Sequence, residues 1–301
     1  MTVVCPIRTV DVFTEARFAG NQLAVVLGAD RIPPERMQDI AREMNLSETT
    51  FVMKPHKAEN TASVRIFTPA AELPFAGHPT VGTAWVLWKE GLAAASGSVV
   101  LEEGVGPVSV RAEPRAGGST RFWMTHPPVT LGEVRGDRDR IATAIGLEVS
   151  ALADEVPVQV ASTGVPFLFV CLRSVADVDR ARSDRALLTE ALGEGGHAIF
   201  LFAVAGDRRL YSRMFAPHSL GITEDPATGS ASGPLGAFAV HHGLIARAAS
   251  VAITSEQGTL MGRRSLVHIA LEYSGDHELP ARVEVGGDVV PVISGEITIE
   301  S

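Results

Sequence analysis

The chain repeats itself. Residues 65–77 read RIFTPAAELPFAG, and residues 213–229 read RMFAPHSLGITEDPATG. Both contain R-x-F-x-P and then, after a spacer, E-x-P-x-x-G, the second spacer being four residues longer. Each motif glycine opens a segment suited to a helix, and each segment runs to a second glycine 14 residues on, from Gly77 to Gly91 and from Gly229 to Gly243. A glycine just past the last turn is a common helix stop. Five residue types in one order, followed by matched helices, constrain the chain to build the same strand, loop and helix twice.

The surroundings fit two similar halves. Arg8–Phe13 and Gln22–Leu27 read as strands around a turn at Gly20–Asn21, and Val156–Ala161 and Phe167–Leu172 as strands around Gly164. Ile32–Asn45 opens with Pro33–Pro34 and places Met37, Ile40, Ala41 and Met44 on one helical face. Further strands are expected at Ser98–Leu101, Val108–Ala112, Ala198–Ala205, Val251–Thr254, Arg282–Val285 and Val289–Ile299, with a hairpin turn at Gly286–Gly287–Asp288. Short strands bounded by Gly or Pro suit a curved mixed sheet. The fold class is α+β, in two pseudo-symmetric halves, each a curved, barrel-like mixed sheet around a central helix. The expected halves are residues 1–126, joined by a C-terminal strand within 288–301, and residues 127–287, with the active site in the cleft between them. The prolines after His126 stiffen that boundary.

A helix that begins at a glycine offers unpaired backbone N–H groups, the positive end of its dipole and close access to its backbone. Such a start suits a carboxylate or another anion. Gly77 and Gly229 are therefore candidate substrate-binding positions. The copies diverge beside them: His78 aligns with Ser230, and Leu73 with Asp225. Polar residues at divergent positions are candidates for specificity and proton handling. Each also has an ordinary reading, His78 as a first-turn residue and Asp225 as a cap or turn former. Glu48 sits in NLSETTFV between a helix and a β-branched strand, where burial would raise its proton affinity. By its neighbours alone it reads as a surface or capping acid sooner than as a catalytic one. Asn21, after a glycine, reads equally as a turn residue.

Other chemistries find no motif. There is no phosphate loop, dinucleotide fingerprint or nucleophile elbow. Cys5 and Cys171 have neither disulfide-framework nor metal-ligand spacing, and adjacent His241–His242 point apart. The 26 basic and 35 acidic residues give a net charge of −9 with no like-charge run, and aromatics are 6%, which argues against a nucleic-acid surface. The N-terminus lacks a signal-peptide pattern and no apolar run is long enough to cross a bilayer, so a soluble protein of the reducing cytoplasm is expected.

Taken together, FAGNQLAVV, NLSETTFV, FTPAAELPFAGHPTVGTAW, FAPHSLGITEDPATGSASGPLGAF and EQGTLMGRRS resemble the PhzF family of phenazine-biosynthesis isomerases, from about Val10 to Arg264. The resemblance implies the diaminopimelate epimerase-like fold, a homodimer and no cofactor. It implies that Glu48 is a proton-shuttling acid, with His78, Asp225 and Ser230 around the substrate and the amides after Gly77 and Gly229 holding its carboxylate. The reaction it implies is proton movement on a small carboxylate-bearing ring such as trans-2,3-dihydro-3-hydroxyanthranilate. Racemases of this fold carry two cysteines just after the motif glycines, where this chain has His78 and Ser230. An epimerase, racemase or lyase on another small amino or hydroxy acid, and a non-catalytic small-acid binding protein of the same fold, are the alternatives.

Overall fold

The segment GHPTVGTAWVLWK is apolar nearly all round, so it can be stable only where sheet encloses it. In the computed structural model it is helix α2 (Gly77–Lys89), with all but Trp85, Trp88 and Lys89 buried. The structure describes residues 2–94, 97–193, 196–216 and 223–300. Two compact units make up the chain, residues 1–125 with 286–301, and residues 126–285.

In the first unit, β1 (Thr2–Val12) pairs antiparallel with β2 (Asn21–Val26) and with the last strand of the chain, β18 (Val289–Glu300). Strand β2 runs parallel to β3 (Glu48–Met53), and helix α1 (Pro34–Met44) makes the crossover such a pair requires. Helix α1 enters through Pro33–Pro34, buries Met37, Ile40 and Ala41, and stops at Asn45, which is left-handed at φ 50°. Strand β4 (Ala62–Phe67) pairs antiparallel with β3 and with the two-residue β5 (Glu72–Leu73). Beyond α2, β6 (Val99–Glu103) runs parallel to β4, then antiparallel to β7 (Gly106–Pro114), which pairs with β8 (Thr120–Thr125). Strands β1, β2, β3, β6, β7 and β8 all pack on α2.

The second unit repeats this order. Strand β9 (Thr130–Arg135) precedes helix α3 (Arg138–Ala144) and pairs antiparallel with β10 (Val158–Ser162), which pairs with β11 (Pro166–Cys171). Helices α4 (Val175–Arg180) and α5 (Arg185–Leu192) cross to β12 (Ala198–Gly206), parallel to β11. Then β13 (Arg209–Phe215) takes the short β14 (Glu224–Asp225), and α6 (Gly229–His241) leads to β15 (Ser250–Gln257), parallel to β13. Strand β16 (Ser265–Glu272) is antiparallel to β15, and β17 (Arg282–Gly287) follows. In α6 every residue from Gly229 to Val240 is buried, with Leu235 and Phe238 in a core shared with Phe169, Phe200 and Phe202.

Both central helices are 13 residues long and end alike. Gly91 and Gly243 are left-handed at φ 72° and 71°, and the next residue returns a bond into the helix, Leu92 N–H to Leu87 at 2.8 Å and Leu244 N–H to Ala239 at 2.9 Å. The repeated Arg, Phe and Glu form a latch. Arg65 grips Glu72 through two bonds of 2.7 Å, and Arg213 grips Glu224 at 2.8 and 2.9 Å. Each guanidinium lies over the phenylalanine of its own motif, 5.0 Å from Phe67 and 4.8 Å from Phe215. The latch holds β5 on β4 and β14 on β13, which fixes the chain just before each motif glycine. Residues 217–222, which carry most of the longer spacer, lie outside the described residues.

One local expectation is corrected. Gly286 and Gly287 do not form a hairpin turn, because neither takes the positive φ such a turn needs and both are extended in β17. They are glycine because a Cβ at Gly286 would meet Trp123 at 2.5 Å, and one at Gly287 would meet Phe13 at 2.2 Å.

The two latches differ in exposure. Arg213 and Glu224 are nearly enclosed, and Arg213 also donates to the carbonyls of Val178 and Ala181, whereas Arg65 and Glu72 are partly open. Arg213→Ala should therefore cost about 3 kcal/mol or more of stability, and Arg65→Ala about 1 kcal/mol, measured by urea unfolding of each variant.

Candidate functional site

Three of the expected residues meet in the first unit. Asn21 opens β2 and Glu48 opens β3, so the parallel register, with Glu48 opposite Leu23, sets them at the same end of neighbouring strands. Gly77 and His78 begin α2 behind them. His78 Nε2 lies 3.3 Å from Glu48 Oε2, and the Asn21 side-chain nitrogen lies 3.0 Å from His78 Nδ1. All three side chains are buried. Gly20, left-handed at φ 67°, makes the turn that presents Asn21, since a Cβ there would meet the Val12 carbonyl at 2.3 Å.

Burial drives the His78 imidazole down to about 3, opposed in part by a hydrogen bond with the Gln22 backbone. The ring is therefore neutral across the physiological range and carries one donor and one acceptor nitrogen. A carboxyl group beside a neutral imidazole can be oriented by it and can exchange a hydrogen bond with it without creating a second charge.

The remaining expected residues lie in the second unit. Asp225, in β14, accepts a 2.6 Å hydrogen bond from Thr228 Oγ1 on Oδ2. Gln257, at the end of β15, closes the loop: its Nε2 donates to the Asp225 carbonyl at 2.8 Å and to Thr228 Oγ1 at 3.0 Å. Its Oε1 accepts from the Thr228 N–H at 3.1 Å. Gly229 and Ser230 then open α6 with both side positions buried. The N-cap residues of α2 and α6, Ala76 and Thr228, supply no side-chain cap. Register confirms the sequence alignment of the copies, because Leu73 pairs with Ile66 as Asp225 pairs with Met214.

Thr228 and Gln257 were not singled out by the sequence. The signal for Gln257 was present, since LEEG at 101–104 recurs as SEQG at 255–258, but it follows the repeated helix rather than the motif itself. The cysteines stand away from both helix starts, Cys5 in β1 and Cys171 in β11, and burial pushes the Cys171 thiol up to about 12. A thiol in that state is no proton carrier near neutral pH. Among the described residues no group of three or more His, Cys, Asp and Glu could hold a metal ion, and no helix is long and apolar enough to cross a membrane.

Comparison with known proteins places the chain. A family model described as phenazine biosynthesis-like protein, PhzC-PhzF, matches residues 10–295. The trans-2,3-dihydro-3-hydroxyanthranilate isomerase of Pseudomonas fluorescens is 38% identical over 290 residues, covering 96% of this chain and 98% of its own. A PhzF-family phenazine biosynthesis protein of Bacillus anthracis superposes with a TM-score of 0.89 at 26% identity, over 98% of this chain and 99% of that one. A probable proline racemase of Agrobacterium radiobacter shares the fold, with a TM-score of 0.67 at 12% identity over 97% and 92% of the two chains.

The neutral state of His78 has a measurable sign. Its folded value of about 3 lies below the 6.5 of a free histidine, so stability is intact above pH 6.5 and falls as pH drops towards 3. The loss is at most about 1.4 kcal/mol per pH unit. His126, buried in the second unit and likewise held down at about 3, adds an equal slope. The ring signals of His78 should stay fixed from pH 8 to 5 by NMR, and His78→Gln should make the acid-side loss of stability shallower, followed by urea unfolding at each pH.

Proposed function

Because this chain belongs to the phenazine biosynthesis-like (PhzF) family of isomerases, we propose that Glu48 moves a proton on a small carboxylate-bearing ring such as trans-2,3-dihydro-3-hydroxyanthranilate. The observation that supports this most is the buried pair at the head of α2, with Glu48 Oε2 3.3 Å from His78 Nε2. The Glu48 carboxylate takes a proton from a ring carbon beside the double bond, and the electron pair of that C–H bond shifts into the conjugated system. The same carboxyl group, now protonated, delivers the proton to another ring carbon. The product enol then passes its O–H hydrogen to carbon and becomes a ketone. Atoms and charge are conserved, and the step needs only a proton acceptor of suitable strength.

Burial serves this use of one group twice, since water that cannot reach the carboxyl cannot carry its proton away. His78, with Asn21 behind it, orients Glu48 while remaining uncharged. The first-turn amides of α2 and α6, to which the N-cap residues Ala76 and Thr228 give no side-chain cap, are proposed to take the substrate carboxylate or neighbouring polar groups. Asp225 and Ser230, the divergent counterparts of Leu73 and His78, are proposed to contribute polar contacts to the same turnover. The reading includes a homodimer in a reducing cytoplasm, which suits two free cysteines.

Proton NMR in heavy water with this substrate tests the reading. Wild type should show double-bond migration with deuterium entering the ring, and Glu48→Gln should lower kcat by about 10²–10⁴-fold. Full activity in Glu48→Gln would remove Glu48 from the step. An inactive wild type would remove this substrate.

A further inference from the structure

The two halves share one more position. Glu102 lies opposite Ser63 in the β4–β6 register and Glu256 opposite Tyr211 in the β13–β15 register, each partner being two residues before the motif arginine. The glycines that follow, Gly104 and Gly258, press on the motif prolines, where a Cβ would come within 2.7 Å of Pro74 and 2.5 Å of the Pro226 carbonyl. Glu103 is therefore the counterpart of Gln257. Gln257 is a neutral amide that pins the approach to its helix with hydrogen bonds given and received. Glu103 occupies the same place with a carboxyl group.

Burial and hydrogen counting together favour the uncharged form of that carboxyl. Thr80 Oγ1, in the first turns of α2, lies 2.8 Å from the Ala76 carbonyl oxygen and 2.7 Å from Glu103 Oε1. A hydroxyl has one hydrogen, and the Ala76 carbonyl can only accept it. That single hydrogen cannot fully serve both acceptors, and a protonated Glu103 relieves the shortage by supplying a hydrogen of its own. The group is only 7% exposed, and its Oε2 has no hydrogen-bond partner among the described residues, a position that an ionised carboxylate could hold only at great cost. We propose that Glu103 is a positioning residue that works as an uncharged acid, holding the first turns of α2 through Thr80 and Ala76 and so keeping His78 set against Glu48.

The consequence is a pH dependence. Burial pushes the Glu103 carboxyl up to about 8, and Thr80 pulls it part of the way back. The charged groups on the elements around β6 are engaged elsewhere: Arg65 of β4 with Glu72 of β5, Arg111 with Glu113 on β7, and Glu102 of β6 with His56 and Asn60. On α2 itself, His78 is neutral and Lys89 ends the helix. Because the folded value is raised, the stability Glu103 contributes is present at low pH and is lost as pH rises through about 8. On ionisation Thr80 turns its one hydrogen to the carboxylate and away from the Ala76 carbonyl, so the placement of His78 relaxes.

The catalytic part of this inference rests on the proposed role of Glu48; the ionisation state does not. Glu103→Gln copies the other half. It should match wild type at pH 7 and hold its kcat at pH 9, where wild type should have fallen about tenfold with little change in KM. Glu103→Leu, which cannot serve Thr80, should lower kcat at every pH, and Glu103→Gln should restore it. Independently of any substrate, protein labelled with 13C at glutamate carboxyls should show one resonance titrating near 8 that is missing in Glu103→Gln. Its Tm should also decline between pH 5 and 8 more in wild type than in the variant. A Glu103 signal titrating in the ordinary carboxylate range, or an alkaline kcat limb unchanged in Glu103→Gln, would overturn the proposal. A Glu103 signal near 8 together with an active Glu48→Gln would overturn only the reading of Glu48.

Discussion

The constraint on which this molecule depends is the burial of most of a helix against its own sheet. A helix of small and apolar residues, enclosed along most of its length, must let strand side chains come close to its axis. Gly82 allows this in α2, where a Cβ would meet Leu23 at 2.6 Å, and Gly236 allows it in α6 against Ile269 at 2.7 Å. Each glycine costs about 1 kcal/mol of helix propensity relative to alanine, a loss offset by the packing it permits. Enclosure also dictates where chemistry can occur. Most of the helix is covered, so polar function gathers at its first turn, where main-chain N–H groups are unspent and neighbouring strands begin.

Duplication supplied that arrangement twice, and divergence made the copies unequal. What they retain is mechanical: the Arg–Phe–Glu latch, the proline pressed by a glycine, the 13-residue helix and its left-handed stop. What they changed is polar. One half gained the imidazole of His78 beside Glu48, and the other gained the carboxylate of Asp225 where the first half has Leu73. Shared residues thus explain how the loops are held, and unshared residues mark where the reaction is to be sought.

Much of this was legible in the sequence because it is local or repeated. The motif glycines, both helix stops and most strand positions follow from spacing and turn chemistry. The legible part fades where distance along the chain grows. Strand β1 begins at Thr2, well before the expected Arg8, because β18 pairs along it, and nothing near Thr2 in sequence announces Glu300. Gly286–Gly287 was misread because dipeptide statistics describe turns, whereas here two aromatic rings demand the missing Cβ. Glu48 was visible only through family resemblance, for an acid between a helix and a strand has no signature of its own. Glu103 was hidden for a related reason: two glutamates before a glycine at a strand end look solvated, and only the fold turns the second one inward.

The pairing of β1 with β18 bears on how the protein is made. Residues 126–285 are contiguous in sequence, whereas the other unit joins residues 1–125 to residues 286–301. Strand β1 shows what that division entails. Strand β1 has one edge to offer β2 at once, but its other edge waits for Val289–Glu300, more than 270 residues behind. Until β18 is in place that edge of β1 stays open, the kind of strand edge that invites pairing with another chain.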